Sequence, residues 1–116
     1  MTSKEMAKVA VAALEDKKGG NIRVIDITNV SVMADYFIIA DGTNKNQIQA
    51  LADNVSEELY KAFKVDPKHV EGYQSAGWIL MDYNDIIVHV FSEDDRIFYD
   101  LERIWRDGKN VELNEL

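Results

Sequence analysis

Three segments of the chain repeat apolar residues at the three-to-four-residue spacing of an amphipathic helix. They cover about residues 1–18, 44–63 and 92–106. In the second segment the apolar positions are interleaved with Gln, Asp, Glu and Lys, which fall mostly on the opposite face. The pattern therefore predicts three main helices, each with one side against a core.

Short polar motifs predict where these helices begin and end. Thr2 and Glu5 have the spacing of a capping box, and Ser92 and Asp95 repeat that spacing. Gly19-Gly20 follows the first helical segment, and we expect this pair to stop it.

Between the helical segments lie short runs rich in β-branched and aromatic residues, which are typical of strands. The predicted strands are 22–27, 35–40, 70–73, 78–83 and 86–91. The run 35–40 is almost continuously apolar, as expected for a strand that is covered on both faces. Residues 41–43 are predicted to form a turn, and Asn84-Asp85 is predicted to join the last two strands as a hairpin.

The order of these elements predicts a fold class. Helix, two strands, helix, two or three strands and helix is typical of a small α/β domain. We expect a mixed β-sheet of four to five strands packed with three main helices. Residues 1–108 form this single domain in the prediction, and residues 109–116 form an acidic, frayed C-terminal tail.

Alternation along the hairpin separates two kinds of surface. A two-residue loop pairs Ile79 with Val90 and Met81 with Val88, so that their shared face is apolar and rests on the helices. The opposite face collects Trp78, Leu80, Asp82, Ile87, His89 and Phe91. Large aromatics mixed with a carboxylate and an imidazole are typical of the anchors of protein interfaces.

Two alternatives stay open at this point. Trp78 and Phe91 would also fit beneath another helix of the same chain, as ordinary core residues. A bulge at Asn84-Asp85 would exchange the two faces of the second hairpin strand.

Composition narrows the possible partners and excludes some chemistry. The 116 residues carry 13 Lys and Arg against 21 Asp and Glu, a formal net charge of −8, which favours a basic partner over nucleic acid. There is no cysteine, which excludes disulfides, thiol catalysis and cysteine-based metal sites. No apolar run approaches the ~20 residues of a membrane span. The first residues lack the pattern of a signal or transit peptide, so we expect a cytoplasmic protein.

Enzymatic patterns are weak. The two histidines, His69 and His89, are twenty positions apart, and neither a nucleophile elbow nor a phosphate-binding loop is present. Nucleotidyltransferases hold Mg²⁺ with acidic residues that alternate on one strand. Asp82 and Asp85 differ by three positions and would point to opposite faces. We expect no enzymatic activity, no cofactor and no bound metal.

The segments DYFIIADGT and EGYQSAGWILMDYNDIIVHVFSEDDRIFYDLERIW give the chain a recognisable signature. Across about residues 3–107 it resembles the ribosomal silencing factor, or Iojap-related, family. The resemblance implies a nucleotidyltransferase-like core without catalytic residues. It also implies binding to the large ribosomal subunit through its protein number fourteen, which sterically blocks association with the small subunit and represses translation. Related proteins act in ribosome assembly, and family members are often homodimers when free.

By its position in the family pattern, Trp78 is the residue that the resemblance assigns first to the ribosomal contact. Asp82, His89 and Phe91 join it because they share its predicted face. The hairpin tip adds Tyr83. The tip also adds Asn84, which stands where the family frequently has Gly. Contact with RNA is expected to be slight.

Asn44 and Asn46 also depart from the family pattern, which usually has a small hydroxyl residue and often a basic residue after the Gly-Thr pair. Two other function classes stay open from the sequence: a nucleotidyltransferase-like protein that binds nucleotides, and a purely oligomeric scaffold.

Overall fold

A computed structural model describes residues 2–29, 32, 34–93, 109–113 and 116. Within them the elements are α1 (Ser3–Asp16), β1 (Gly20–Asp26), β2 (Tyr36–Gly42), α2 (Lys45–Phe63), β3 (His69–Glu71), β4 (Trp78–Asp82), β5 (Ile86–Ser92) and β6 (Lys109–Val111). The third predicted helix, about residues 92–106, lies from residue 94 onward outside the described residues. Neither described helix combines the length and the apolar character needed to cross a bilayer.

The six described strands form one mixed sheet in the order β3-β4-β5-β2-β1-β6. Strand β2 pairs with β5 in parallel, and every other neighbouring pair is antiparallel. The mixed α/β class is confirmed. The expected four to five strands are one too few, because residues 109–111 pair with β1 as β6 instead of fraying as a tail.

A capping side chain fixes the start of α1, and backbone hydrogen bonds fix its end. The Thr2 hydroxyl accepts a hydrogen bond from the backbone N–H of Glu5, as the spacing predicts. At the other end Lys18 adopts a left-handed φ of 62°, and the Gly19 N–H reaches back to the Leu14 carbonyl. The turn at Lys18 thus ends the helix, and the predicted glycine stop lies one residue further on.

Helix α2 is capped by Asn44, whose side chain accepts a hydrogen bond from the backbone N–H of Gln47. The Gln47 side chain in turn donates to the Lys18 carbonyl and accepts from the Thr43 N–H. These bonds fasten the start of α2 to the end of α1. The predicted turn at 41–43 is wrong in part, because Asp41 and Gly42 still pair as the end of β2.

Both described helices pack on one face of the sheet. The main core joins α1 and α2 to inward-facing residues of β1, β2, β4 and β5, with Leu14, Ile38, Leu51 and Val88 fully buried. A second apolar cluster lies on the other sheet face. It contains Ile25, Ile27, Ala34, Ile39 and Phe91, with Phe37, Trp78 and Ile87 packed against it.

Candidate functional site

The hairpin formed by β4 and β5 has the register that its sequence predicts. Ile79 pairs with Val90 and Met81 with Val88, so no bulge exchanges the faces. At the tip, Asn84 adopts a φ of 75°, which an asparagine tolerates better than most residues. The Asp82 carboxylate accepts a hydrogen bond from the Asn84 N–H at 2.8 Å and holds the turn in this shape.

Tyr83 belongs to the core side of this hairpin. Its side chain is 6% exposed and lies in the main core beside the two helices. Burial raises the pKa of the Tyr83 phenol to about 12. The prediction that Tyr83 contacts a partner at the tip is therefore not supported, whereas Asn84 is exposed there.

Trp78 begins β4 on the other face and is partly exposed. Its indole N–H donates to Nδ1 of His89 over 3.0 Å. Its ring stacks on Phe91 with 5.1 Å between the centroids and 25° between the planes. Phe37 meets the opposite side of this group, edge-on to His89 at 5.1 Å. His89 and Phe91 thus define the position of the indole, and Phe37 in turn packs against His89.

His89 and Phe91 lie inside the molecule, 2% and 0% exposed. Burial lowers the pKa of His89 to about 3, so its imidazole is neutral and Nδ1 accepts the hydrogen bond of the indole N–H. The prediction that these two residues contact a partner directly needs correction. Phe91 belongs to the second apolar cluster, and the rings of Phe37 and Phe91 pack against His89, whereas Ile87 at the start of the same strand stays partly exposed.

Among the described residues, this side of the sheet has partly exposed or exposed side chains along β3 and β4. Trp78, Leu80 and Asp82 alternate along β4 and are all partly exposed, about 7 Å apart. We call the set Glu71, Trp78, Leu80, Asp82 and Ile87 the β4 face. Glu71 pairs with Leu80 across the two strands, and Asp82 follows Leu80 on the same face of β4. Two carboxylates therefore flank an apolar side chain. Sequence reasoning placed Leu80 on this face without assigning it to the site. It assigns Glu71 no role, and all three residues of β3 are exposed, so no alternation in this strand would have indicated one.

Among the described residues, the charge of the β4 face is only partly compensated. His69 forms an ion pair with Glu71 at 2.8 Å, with both side chains about 60% exposed to solvent. Exposed pairs of this kind are worth little, because water screens them. The face therefore presents an indole and a leucine edged by carboxylates, which suits a basic surface that also offers apolar contacts.

Groups for metal chemistry are not assembled in the part of the chain that the structure describes. It contains no set of three or more acidic or histidine side chains placed to hold a metal ion. Asp82 ends β4, and Asp85 lies in the loop, where its carbonyl accepts a hydrogen bond from the Asp35 N–H.

Comparisons with known proteins agree on one family. The profile described as "Ribosomal silencing factor during starvation" matches residues 1–116. A protein of Halalkalibacterium halodurans named "Ribosomal silencing factor RsfS" is 36% identical over 113 residues, which cover 97% of this chain and 96% of that protein. A crystal structure from Chromobacterium violaceum superposes with a TM-score of 0.87 at 37% identity, covering 90% of this chain and 87% of that one.

A more distant mouse relative is named "Mitochondrial assembly of ribosomal large subunit protein 1". It is 28% identical over 98 residues, which cover 82% of this chain and 42% of that protein.

Proposed function

The chain belongs to the ribosomal silencing factor family, and from this premise we propose that it binds the large ribosomal subunit through the subunit's protein number fourteen. In this position it occupies volume that the small subunit needs, and translation is repressed. The observation that carries the proposal is the β4 face, where a partly exposed indole and a leucine lie between two carboxylates.

Electrostatics favours this partner class. Ribosomal proteins are commonly basic, and the chain carries a formal net charge of −8. Opposite fields speed the encounter and orient the approach, while repulsion from RNA phosphates keeps RNA contact peripheral. The apolar groups of the β4 face then lengthen the residence time, because buried aromatic anchors slow dissociation.

Blocking of subunit joining needs no bond to be made or broken. One bound copy suffices, since steric exclusion depends only on occupancy. The proposal is thus a non-enzymatic, cytoplasmic regulator that acts without a cofactor.

Binding to isolated protein number fourteen tests the proposal most simply. We expect Trp78→Ala to weaken binding by about 2 kcal/mol or more, roughly 30-fold, as for other interface hot spots. Tyr60→Ala is the matched control, because Tyr60 is an aromatic on α2, 48% exposed, in the helical layer. Equal binding by both variants would contradict the assigned surface. Binding to the large subunit that vanishes once the RNA is digested, with no binding to the isolated protein, would contradict the partner.

A second role in large-subunit maturation is favoured by the name of the mouse relative. The same surface would serve both roles, since a protein bound to the large subunit is present while that subunit matures. Depletion of the protein should then cause precursors of the large subunit to accumulate, measured on sucrose gradients. Normal subunit profiles after depletion would contradict this second role.

The expected homodimer of the free chain stays a prediction. Analytical ultracentrifugation of the purified protein tests it directly, and a single monomeric species at micromolar concentration would contradict it.

A further inference from the structure

We propose that His89 is a positioning residue for the partner contact of Trp78. Its Nδ1 accepts the hydrogen bond of the indole N–H, so that Trp78 presents only its ring carbons to the partner. The group that meets the indole is then a basic side chain that lies along the ring, and not a hydrogen-bond acceptor. This inference rests on the proposed function and names the chemistry of one contact within it.

The hydrogen bond between Trp78 and His89 is the first support for this proposal. The indole N–H reaches Nδ1 of His89 at 3.0 Å, a normal hydrogen-bond length, and His89 is 2% exposed. The indole has a single donor. A partner that accepted a hydrogen bond from this N–H would leave the buried Nδ1 of His89 without a hydrogen-bond donor, which is costly.

Ring packing fixes the orientation of the indole. Phe91 stacks under Trp78 at 5.1 Å, and the rings of His89 and Phe91 are nearly parallel, 10° apart at 6.2 Å. Phe91 is completely buried and Phe37 touches His89 edge-on, so the platform is itself held in place. An aromatic anchor that is already ordered loses less conformational entropy when it binds.

The second step concerns what this surface attracts. An indole face is the aromatic surface that binds cations best, and a Lys or Arg stem can lie along it while its charge stays near water. The carboxylates of Asp82 and Glu71 on the same β4 face add attraction for the same kind of side chain. The N–H directed at His89 leaves no donor that would select an acceptor instead.

Two variants of His89 separate positioning from ordinary packing. His89→Phe keeps the ring volume and removes the acceptor, whereas His89→Asn keeps an acceptor near the position of Nδ1 and leaves a cavity. A purely structural role predicts that the better-packed phenylalanine variant binds better. Positioning predicts the reverse order, with binding to protein number fourteen about tenfold weaker in His89→Phe and closer to wild type in His89→Asn.

The indole itself supplies a second readout. In ¹H–¹⁵N spectra the Trp78 indole proton, assigned with Trp78→Phe, should exchange with solvent faster in His89→Phe and remain protected in His89→Asn. Folding of each variant is checked by circular dichroism and urea unfolding. Wild-type affinity and unchanged exchange in a folded His89→Phe would overturn the positioning role.

Incorporation of fluorinated tryptophan tests which kind of partner group meets the indole. It is done in the Trp105→Phe variant, so that Trp78 is the one tryptophan that carries fluorine. The affinity of this variant for protein number fourteen is measured first. Fluorine withdraws charge from the ring face and makes the N–H a stronger donor. A basic side chain on the ring therefore predicts affinity that falls with each added fluorine. Constant or rising affinity would overturn this part of the inference. Normal binding by Trp78→Ala would instead remove the proposed surface, so the two failures are distinguishable.

Discussion

Gly72 packs against the backbone of Trp78 so closely that no side chain fits between them. A Cβ atom on Gly72 would lie 2.0 Å from the Trp78 carbonyl oxygen, and Gly72 has a φ of 79°. The loop that leads into β4 is also held by Tyr73, whose hydroxyl donates to Asp53 and whose carbonyl accepts from the Gln49 side chain. The start of β4, and with it the indole, is thereby fixed to α2.

Gly72→Ala should consequently be among the most damaging changes in this loop. The obstructing atom is backbone and cannot rotate away, and the left-handed conformation adds its own penalty for alanine. We expect a loss of at least about 2 kcal/mol in the free energy of unfolding, measured with urea. Gln74→Ala, an exposed change in the same loop, should change it by less than about 0.5 kcal/mol. Similar stability of the two variants would contradict this close packing.

Asn54 should contribute to stability through the end of the first helix. It is 6% exposed, and its amide donates to the Ala13 carbonyl at 2.9 Å, in a turn whose carbonyls have no partner within α1. Asn54→Leu leaves that carbonyl without its donor, and we expect a loss of about 1–3 kcal/mol in urea unfolding. Glu57→Ala removes only an exposed ion pair with Lys61 and should have little effect. An Asn54→Leu protein as stable as wild type would show that this bond is dispensable.

His89 makes stability depend on pH in one direction. In the unfolded chain its pKa is near 6.5, whereas burial lowers it to about 3 in the folded protein. The unfolded state therefore binds more protons between these values, and stability falls as the pH falls below 6.5. At pH 5.5 the loss from this residue is about 1.4 kcal/mol relative to neutral pH.

Urea unfolding of the wild type and His89→Phe at pH 7 and pH 5.5 isolates this effect, because the carboxylates contribute equally to both proteins. The wild type should lose more stability than the variant over this interval. Parallel losses would mean that the histidine is protonated in the folded state.

Charge on the β4 face should affect mainly the rate of association. The double variant Glu71→Gln, Asp82→Asn should associate several-fold more slowly with the large subunit at low salt, with a weaker salt dependence. Asparagine at 82 can still accept from the Asn84 N–H, so the turn is preserved. The double variant Glu5→Gln, Glu57→Gln is the control, since it also removes two negative charges, but at exposed positions of the helices. Surface plasmon resonance gives both rates, and equal slowing in the two double variants would mean that only total charge matters.

The sequence predicts local geometry well in this molecule. A two-residue loop leaves one register for the hairpin, so alternation alone pairs Met81 with Val88. The Thr2 cap depends on Glu5, only three positions away. Such features are determined within a few residues, where steric and hydrogen-bonding preferences are strong.

Features that depend on distant residues were not predictable in the same way. The pairing of β6 with β1 joins segments more than 80 residues apart, and a polar sequence such as Lys109–Val111 gives no strand signal of its own. The burial of His89 and Phe91 likewise depends on the packing of Phe37 and the second apolar cluster, which alternation along the hairpin cannot reveal. The alternation thus predicts the correct face for His89 and Phe91, but not that their side chains are buried there.

Formation of joined ribosomes from purified subunits tests the central claim most directly. Light scattering after mixing large and small subunits reports joining, with this protein, Trp78→Ala or Tyr60→Ala bound to the large subunit beforehand. The account predicts that the wild type and Tyr60→Ala suppress joining at equal concentrations, whereas Trp78→Ala needs roughly 30-fold more. Suppression by a folded Trp78→Ala at wild-type concentration, or no suppression by the wild type at saturation, would contradict it.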